Sequence, residues 1–122
     1  MADHRRERVE HLLRAELASL LQREARDPRL ATVTVSAVRM TADLRQARVF
    51  YRVLGDPADS ALVQKGLEHA TPFLRARVAR SLALRVTPTL RFEYDTTPDT
   101  ARRVDDLLRS ATRGSPEDEE ET

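Results

Sequence analysis

The stretch TVTVSAVRMTADLRQARVFYRVL, residues 32–54, decides the fold of this chain. β-Branched and aromatic residues alternate with polar ones on both sides of the short connection Thr41-Ala42-Asp43. This period of two predicts strands, and so short a connection favours an antiparallel hairpin. We therefore predict a first strand over residues 32–40 and a second strand over residues 45–54.

The first of these strands has an irregular pattern. Val33 and Val35 point to one face of a regular strand, whereas Val38 and Met40 fall on the opposite face. Apolar residues in both phases indicate burial on two sides. We expect the first strand to be buried in part on both of its faces.

An amphipathic helix precedes the hairpin, and we predict it over residues 3–25. Apolar residues recur there at the spacing of one helix face. The members of this stripe are Val9, Leu12, Leu13, Leu17, Leu20 and Leu21. Asp27-Pro28 ends the helix, because the residue before a proline is disfavoured in helical geometry.

Two helices follow the hairpin in this interpretation. Asp59 or Ser60 caps the first of them, and Thr71-Pro72 interrupts it, because a threonine N-cap followed by proline is typical of a helix start. The helix after this break extends to residue 82. The inward side chains of the two helices are predicted to be Leu62, Val63, Leu67, Ala70, Leu74, Val78 and Leu82.

A third strand and a short last helix complete the pattern. The strand is predicted over residues 84–95, with Pro88 near its start as a position that cannot donate a hydrogen bond. Thr97-Pro98 then opens a helix that includes Leu107 and Leu108. The order helix, strand, strand, helix, helix, strand, helix predicts an α+β fold in which the helices lie on one face of a small sheet.

Length and composition limit the chain to one folded domain and a tail. The 122 residues are enough for one core. We predict a domain over residues 1–109 and a disordered acidic tail over residues 110–122. The chain has no cysteine and three glycines, which excludes disulfides, thiolate metal sites and glycine-rich phosphate loops. We expect a cytoplasmic monomer without a cofactor.

Charge is distributed unevenly along the chain. The run Glu117-Asp118-Glu119-Glu120-Glu121 holds five of the 20 acidic residues, so the rest of the chain carries 21 basic and 15 acidic residues. Lys65 is the single lysine, and the other basic residues are arginines. Arginine suits phosphate recognition, but a biased source composition would give the same ratio. The tail is either a solubilising end or a segment that folds back on a basic face.

The chemistry-bearing residues do not suggest an enzyme. The histidines lack the spacing of paired metal ligands, and the serines lack the surroundings of a nucleophile. We expect no catalytic residue and no metal site. The arginines form clusters that predict a basic face for nucleic acid, unless they only solvate helices and pair with acids. Few aromatic residues favour recognition of backbone and shape over base stacking.

Several ordered stretches of the chain match the pattern of one known family. They begin with Asp27-Pro28-Arg29-Leu30, Val33-Thr34-Val35 and Thr41-Ala42-Asp43-Leu44 before Ala47. Further matches are Ala70, Phe73-Leu74-Arg75, Leu84-Arg85, Pro88, Leu90-Arg91-Phe92 and Tyr94-Asp95. In this order and spacing, the stretches resemble the ribosome-binding factor A family over residues 5–109.

The resemblance implies a type II KH-like fold and a role in ribosome biogenesis. Members bind the free 30S small subunit and its 16S rRNA, and assist late maturation of that RNA, including processing of its 5′ end, above all in the cold. They are not enzymes and need no cofactor. Ribosomal proteins near the binding site and other assembly factors are the further partners that the resemblance implies.

The resemblance also points to a site. The family has a helix kink of the form Ala-x-Gly, and the matching residues here are Ala70, Thr71 and Pro72, so that proline replaces glycine. Basic residues around this kink are expected to contact phosphate. These predicted nucleic-acid-binding residues are Lys65, Arg75, Arg77, Arg80 and Arg85, with Arg45 and Arg39 as further candidates.

Two other functions stay open from the sequence. A KH-like module for other small RNAs would bind isolated RNA as tightly as the subunit. A protein-interaction domain would use its arginines for surface ion pairs, and its binding would depend little on salt.

Overall fold

The structure, a computed structural model, describes residues 2–23, 26–55, 59–98 and 107–108. They form an α+β domain in which two long helices pack on a three-stranded sheet. In chain order these are helix α1 (Ala2–Arg23), 3-10 helix η1 (Pro28–Thr32), strands β1 (Val33–Met40) and β2 (Gln46–Val53), helix α2 (Ser60–Leu82) and strand β3 (Thr89–Tyr94). The predicted tail and residues 99–106 of the predicted last helix lie outside the described residues, and residues 107–108 are helical.

The sheet has the order β1-β2-β3. β1 and β2 are antiparallel, which confirms the predicted hairpin, and β2 and β3 are parallel, with α2 as the crossover between them. The hairpin turn is closed by a hydrogen bond from the Thr41 amide to the Gln46 carbonyl, 3.0 Å. Leu44 in this turn has a left-handed backbone with φ of 61°.

A β-bulge corrects the expectation that Val38 and Met40 lie on the face opposite Val33 and Val35. The pairing register with β2 shifts between Val35 and Ala37, so that Ser36 is the extra residue. An extra residue reverses the alternation beyond it. Val38 and Met40 are therefore buried on the same helix-covered face as Val35. The Ser36 hydroxyl donates to the carboxylate of Asp95 at 2.5 Å, which holds the bulge against the end of β3.

The stripe predicted for α1 is confirmed apart from one residue. Its other members are buried in the core, but the Leu12 side chain is 49% exposed. Leu12 lies at the edge of the stripe, because it is a quarter-turn from Leu13 on the side away from Leu17. Glu10 is buried instead, and its carboxylate accepts a hydrogen bond from the Met40 amide at 2.8 Å, which satisfies a donor of β1.

Helix α2 is continuous where the sequence predicted two helices. Pro72 lies inside Ser60–Leu82, so Thr71 is not an N-cap, and its hydroxyl donates to the Leu67 carbonyl at 2.8 Å. Proline removes one helical hydrogen bond. Buried side chains before and after Pro72 hold the same face of the helix on the sheet, and this packing continues the helix through the proline. They are Val63, Leu67, Leu74 and Val78.

One smaller prediction for α2 is also wrong, and a second is confirmed only in part. Leu62 was expected to point inward but is 53% exposed, because its neighbour Val63 occupies the centre of the buried face. Asp59 is the N-cap residue, yet its side chain makes no capping hydrogen bond, since its backbone is already helical with φ of −79° and ψ of −5°.

A polar contact fixes α2 above β2 and β3. The hydroxyl of buried Tyr51 donates to the side-chain oxygen of Gln64 at 2.6 Å. The Gln64 amide nitrogen donates in turn to the Phe92 carbonyl at 2.8 Å. Burial raises the pKa of Tyr51, so the phenol stays protonated as the donor that this contact requires.

We predict that Leu17→Ala and Leu12→Ala differ strongly in stability. Leu17 is fully buried, so its truncation leaves a cavity and lowers the free energy of unfolding by about 2–5 kcal/mol. Leu12→Ala changes it by less than about 1 kcal/mol, because half of that side chain is already in water. Urea denaturation of the two variants measures both. Equal losses would contradict the packing described for α1.

Candidate nucleic-acid interface

One face of α2 carries a line of basic and aromatic side chains, here called the α2 stripe. Its members follow at intervals of four, four, four and three residues, which keeps them on one side of a helix. They are Lys65, His69, Phe73, Arg77 and Arg80. None of them is buried, and the stripe contains no acidic residue. It extends over about 22 Å, because its ends are 15 residues apart at about 1.5 Å per residue.

Phe73 and His69 are the members of this stripe that the sequence did not single out as site residues. The scarcity of aromatic residues predicts little base stacking, yet Phe73 is 39% exposed. The Arg77 guanidinium lies over it, 5.3 Å from the ring centroid. The spacing of four residues between Phe73 and Arg77 was the available signal, since such residues are neighbours on a helix surface.

Arg75 lies on a different side of α2, facing the segment that leads into β3. Its Nε donates to the Pro88 carbonyl at 3.0 Å, and its Nη2 donates to the Thr87 carbonyl at 3.1 Å. Arg75 therefore ties α2 to this segment. The third strand begins at Thr89 rather than at Leu84 as predicted, because α2 ends on left-handed Ala83 and Pro88 has no amide to pair.

Arg85 lies apart from the α2 stripe, at the end of the sheet that holds the hairpin turn. With Arg5 it lines a small cavity of about 170 Å³, together with Met40, Asp43 and Leu44. Arg45 belongs to the same end, since its carbonyl accepts from the Thr89 amide at 2.9 Å. The side chains of Arg45 and Arg85 are both exposed.

Asp43 orders the turn that carries Arg45. Its carboxylate accepts from the Thr41 hydroxyl at 2.7 Å and from the Arg45 amide at 3.0 Å. Both bonds lower the pKa of Asp43 below its ordinary value, and the bond from the Thr41 hydroxyl has the larger effect. The turn is therefore held by an ionised carboxylate at neutral pH.

Arg39 lies on the face of the sheet that the helices leave open. It is directly opposite Arg48 of β2, and Arg91 of β3 continues the row. Arg48 forms two hydrogen bonds of 2.9 Å with Glu93, and this contact lowers the pKa of the carboxylate. The Arg39 side chain donates to the Val38 carbonyl at 3.1 Å. This row is thus partly neutralised.

The three residues matched to the family kink lie at the middle of α2. Ala70 packs against the core, Thr71 is half-buried, and Pro72 is exposed. Proline offers no amide N–H to a phosphate. The side chains of the α2 stripe, rather than the backbone, are the groups at this position that can bind an anion.

The predicted site residues therefore do not form one cluster. Lys65, Arg77 and Arg80 share the α2 stripe, whereas Arg85 and Arg45 lie at the hairpin end of the sheet. Arg75 binds the segment before β3, and Arg39 lies on the open face of the sheet. Within residues 2–23, 26–55, 59–98 and 107–108, no group of acidic residues and histidines could hold a metal ion. No helix in that part of the chain is long and apolar enough to span a membrane.

The chain matches the family model described as Ribosome-binding factor A over residues 5–108. A Saccharopolyspora erythraea protein of that name is 52% identical over 95 residues, which are 78% of this chain and 57% of the relative. A Streptomyces coelicolor protein of the same name is 45% identical over 113 residues, 91% of this chain and 71% of the relative. The chain thus spans little more than half of the first relative and most of the second.

Solved structures with the same fold carry the same family name. The crystal structure of ribosome-binding factor A from Thermus thermophilus has a TM-score of 0.66 and 29% identity, covering 73% of this chain and 94% of that one. A homology model of the same Thermus protein, fitted into a cryo-EM map of a 30S complex, has a TM-score of 0.62 and 30% identity, covering 74% and 96%. These neighbours confirm the predicted α+β, KH-like fold.

We predict different effects for two arginines of α2. Arg75→Ala removes two hydrogen bonds from a charged donor, so it lowers the free energy of unfolding by about 1–3 kcal/mol. Arg80→Ala leaves stability within about 0.5 kcal/mol, because Arg80 is exposed. Arg80→Ala instead makes the binding of a 16S rRNA transcript less dependent on salt. The slope of log K against log salt decreases in magnitude by about 0.7–0.9. Urea denaturation and a salt titration separate the two roles. A loss of stability in Arg80→Ala, together with a changed salt slope but unchanged stability in Arg75→Ala, would refute these two roles.

We predict that Asp43 stabilises the fold only above acid pH. Its pKa is lower in the folded than in the unfolded chain, so its contribution is complete above the unfolded value near 3.8 and is lost as pH falls through the folded value. Asp43→Asn is therefore less stable than the original chain at pH 7, and the two converge as the pH falls below the folded pKa of Asp43. Thermal unfolding across this range measures the gap. A gap that is constant with pH would contradict the ionic role of Asp43.

Proposed function

The chain belongs to the ribosome-binding factor A family, and from that premise we propose that it binds the free 30S small ribosomal subunit through 16S rRNA and assists late maturation of that RNA. The single observation that carries this proposal is the α2 stripe. It is an exposed helix face about 22 Å long with three cationic side chains and no acid. A polyanion is the partner that such a face attracts.

Phosphate contact by side chains is the proposed mode of binding. Lys65, Arg77 and Arg80 project from a helix whose other face is buried in the core, so the spacing of the backbone positions that carry them is set before RNA arrives. Preorganisation lowers the entropy lost on binding. Phosphate contacts orient a protein without reading sequence, so rRNA shape and ribosomal neighbours would supply selectivity.

The hairpin end of the sheet provides the second proposed contact. Arg85 and Arg45 are exposed there, and Arg75 holds the segment in which Arg85 lies. Arg75 is thus proposed as a positioning residue. Arg39 is proposed only as a peripheral contact, because Glu93 binds the neighbouring Arg48 and partly neutralises the charge of this row.

The proposed mechanism is occupancy without catalysis. A protein that binds one conformation of the immature subunit better than another shifts the subunit toward that conformation. We propose that the favoured conformation permits processing of the 16S 5′ end, and that the protein leaves when maturation removes its site. The Thermus family member fitted into a 30S map supports the choice of this subunit as the partner. A partner of this kind places the protein in the cytoplasm.

Sedimentation tests the proposed partner. The tagged chain is run through a sucrose gradient with a bacterial lysate, and we expect it to migrate with free 30S subunits and not with intact ribosomes. Migration at the top of the gradient at low salt would refute ribosome binding. Equal affinity for isolated small RNAs would support a general KH-like module instead. Binding to protein alone, without salt dependence, would support an interaction domain.

We predict that Arg77→Ala with Arg80→Ala shifts the chain out of the 30S fractions. Each lost phosphate contact weakens binding, most clearly near physiological salt. The matched control is Arg8→Ala with Arg91→Ala, which removes two exposed arginines from α1 and from the open sheet face. The control is expected to sediment like the original chain. Equal loss in both double variants would show that only net charge matters.

The proposed role in processing has its own test. Cells depleted of the protein are expected to accumulate 16S rRNA with an extended 5′ end, which primer extension quantifies. The original chain restores the mature end, and the Arg77→Ala, Arg80→Ala variant restores it less well. A normal 5′ end in depleted cells would refute this step and leave 30S binding intact.

A further inference from the structure

A groove lies between η1 and α2, and the phosphate contacts proposed for the α2 stripe give this groove no role. Its volume is about 730 Å³, which lies in the range of sites for small organic ligands. Its lining combines an apolar floor with basic and aromatic side chains. The lining residues are Arg26, Asp27, Arg29, Leu30, Lys65, Gly66, His69, Ala70 and Phe73.

The η1 wall of the groove is built by the stretch Asp27-Pro28-Arg29-Leu30. The Asp27 carboxylate accepts from the Arg29 amide at 3.0 Å and thereby caps η1. It also binds the Arg29 guanidinium through two hydrogen bonds of 3.2 and 2.9 Å. The hydrogen bonds from the Arg29 side chain, and to a smaller extent the bond from its backbone amide, lower the pKa of Asp27 below its ordinary value. The acid of the groove is therefore neutralised by its own neighbour.

The floor is apolar because η1 and α2 approach closely. Leu30 is buried between them, and Gly66 faces it. A Cβ atom on Gly66 would lie 3.3 Å from both Leu30 Cδ2 and Asp27 Oδ2, closer than ordinary packing. Glycine at this position thus lets α2 lie against η1, and Ala70 continues the small-residue surface one turn later.

The remaining charges of the groove are positive. Lys65 and Arg26 are exposed at its rim, and neither forms an ion pair with a carboxylate of the described residues. Phe73 lines the groove and is 39% exposed, and the Arg77 guanidinium lies over its ring. An aromatic side chain in the lining and two exposed cations are complementary to a planar base attached to phosphate.

We propose that this groove holds one unpaired nucleotide of the bound RNA, with its base against Phe73 and the apolar floor and its phosphate beside Lys65 and Arg26. The proposal rests on the proposed function, because it names the RNA element that the α2 stripe selects. A fully paired helix offers only its backbone to the stripe, whereas an unpaired base fills the groove. The groove thereby favours RNA whose secondary structure is incomplete or interrupted.

Three RNA hairpins of equal length test this proposal by fluorescence anisotropy with the full chain at one salt concentration. The first is fully paired, the second carries one bulged adenine, and the third carries an abasic site in place of that adenine. We expect the bulged hairpin to bind about fivefold or more tightly than the other two, from the contribution of one stacked base. Equal affinity for all three hairpins would overturn the proposal.

Variants of Phe73 locate the preference. Phe73→Ala is expected to abolish the preference, so that the bulged hairpin binds no more tightly than the paired and abasic hairpins. Phe73→Tyr keeps the preference, since it keeps the ring. Val86→Ala, which truncates another exposed apolar side chain, is the control and also keeps it. Uniform weakening for all three hairpins by Phe73→Ala would overturn the proposal.

Photo-crosslinking gives a readout that does not depend on a variant folding. A hairpin with 5-iodouracil at the bulge is expected to crosslink to the α2 peptide that contains Phe73. Crosslinks confined to other peptides would refute the assignment. The 30S sedimentation assay separates this result from the proposed function. A chain that binds 30S subunits without preferring the bulged hairpin contradicts the groove alone, and a chain that prefers it without binding 30S contradicts the proposed function alone.

Discussion

The burial of one face of α2 against the sheet holds the crossover between β2 and β3 in place and determines which side chains reach the surface. Leu67, Leu74 and Val78 are buried there on both sides of Pro72, and their packing continues the helix across a residue that removes a hydrogen bond. The Tyr51–Gln64–Phe92 contact sets the helix on the two strands that it connects. A helix held in this way has little freedom to rotate, so its outer residues acquire fixed positions.

This constraint divides α2 into three sides with separate roles. The buried side supplies stability, and the side toward β3 supplies Arg75, whose bonds to Thr87 and Pro88 fix the approach to the third strand. The third side carries the α2 stripe and forms one wall of the groove with η1. Cationic and aromatic groups thus share a rigid surface, which suits a partner that is recognised by charge and shape before sequence.

The sequence predicted the hairpin, the amphipathic helices and the α+β arrangement, because period-two and 3.6-residue patterns depend only on which residues are apolar. It did not predict the continuous α2, since local rules for Thr71-Pro72 favour a break and only tertiary packing opposes it. The bulge at Ser36 was hidden for a similar reason, as its Asp95 partner lies 59 residues away. The sequence predicted a set of basic contact residues, but their division between the α2 stripe and the hairpin end depends on the fold, as does the exposure of Phe73.

We propose that the α2 stripe, and not the open face of the sheet, contacts 16S rRNA. The chain has no cysteine, so a single introduced cysteine can carry an iron chelate that cleaves nearby RNA with hydroxyl radicals. Exposed Ala76 lies beside the stripe on α2, and exposed Thr34 lies on the open sheet face. In complexes with purified 30S subunits, we expect strong 16S rRNA cleavage from the Ala76→Cys conjugate and weak cleavage from the Thr34→Cys conjugate. Strong cleavage from Thr34→Cys with none from Ala76→Cys would contradict it.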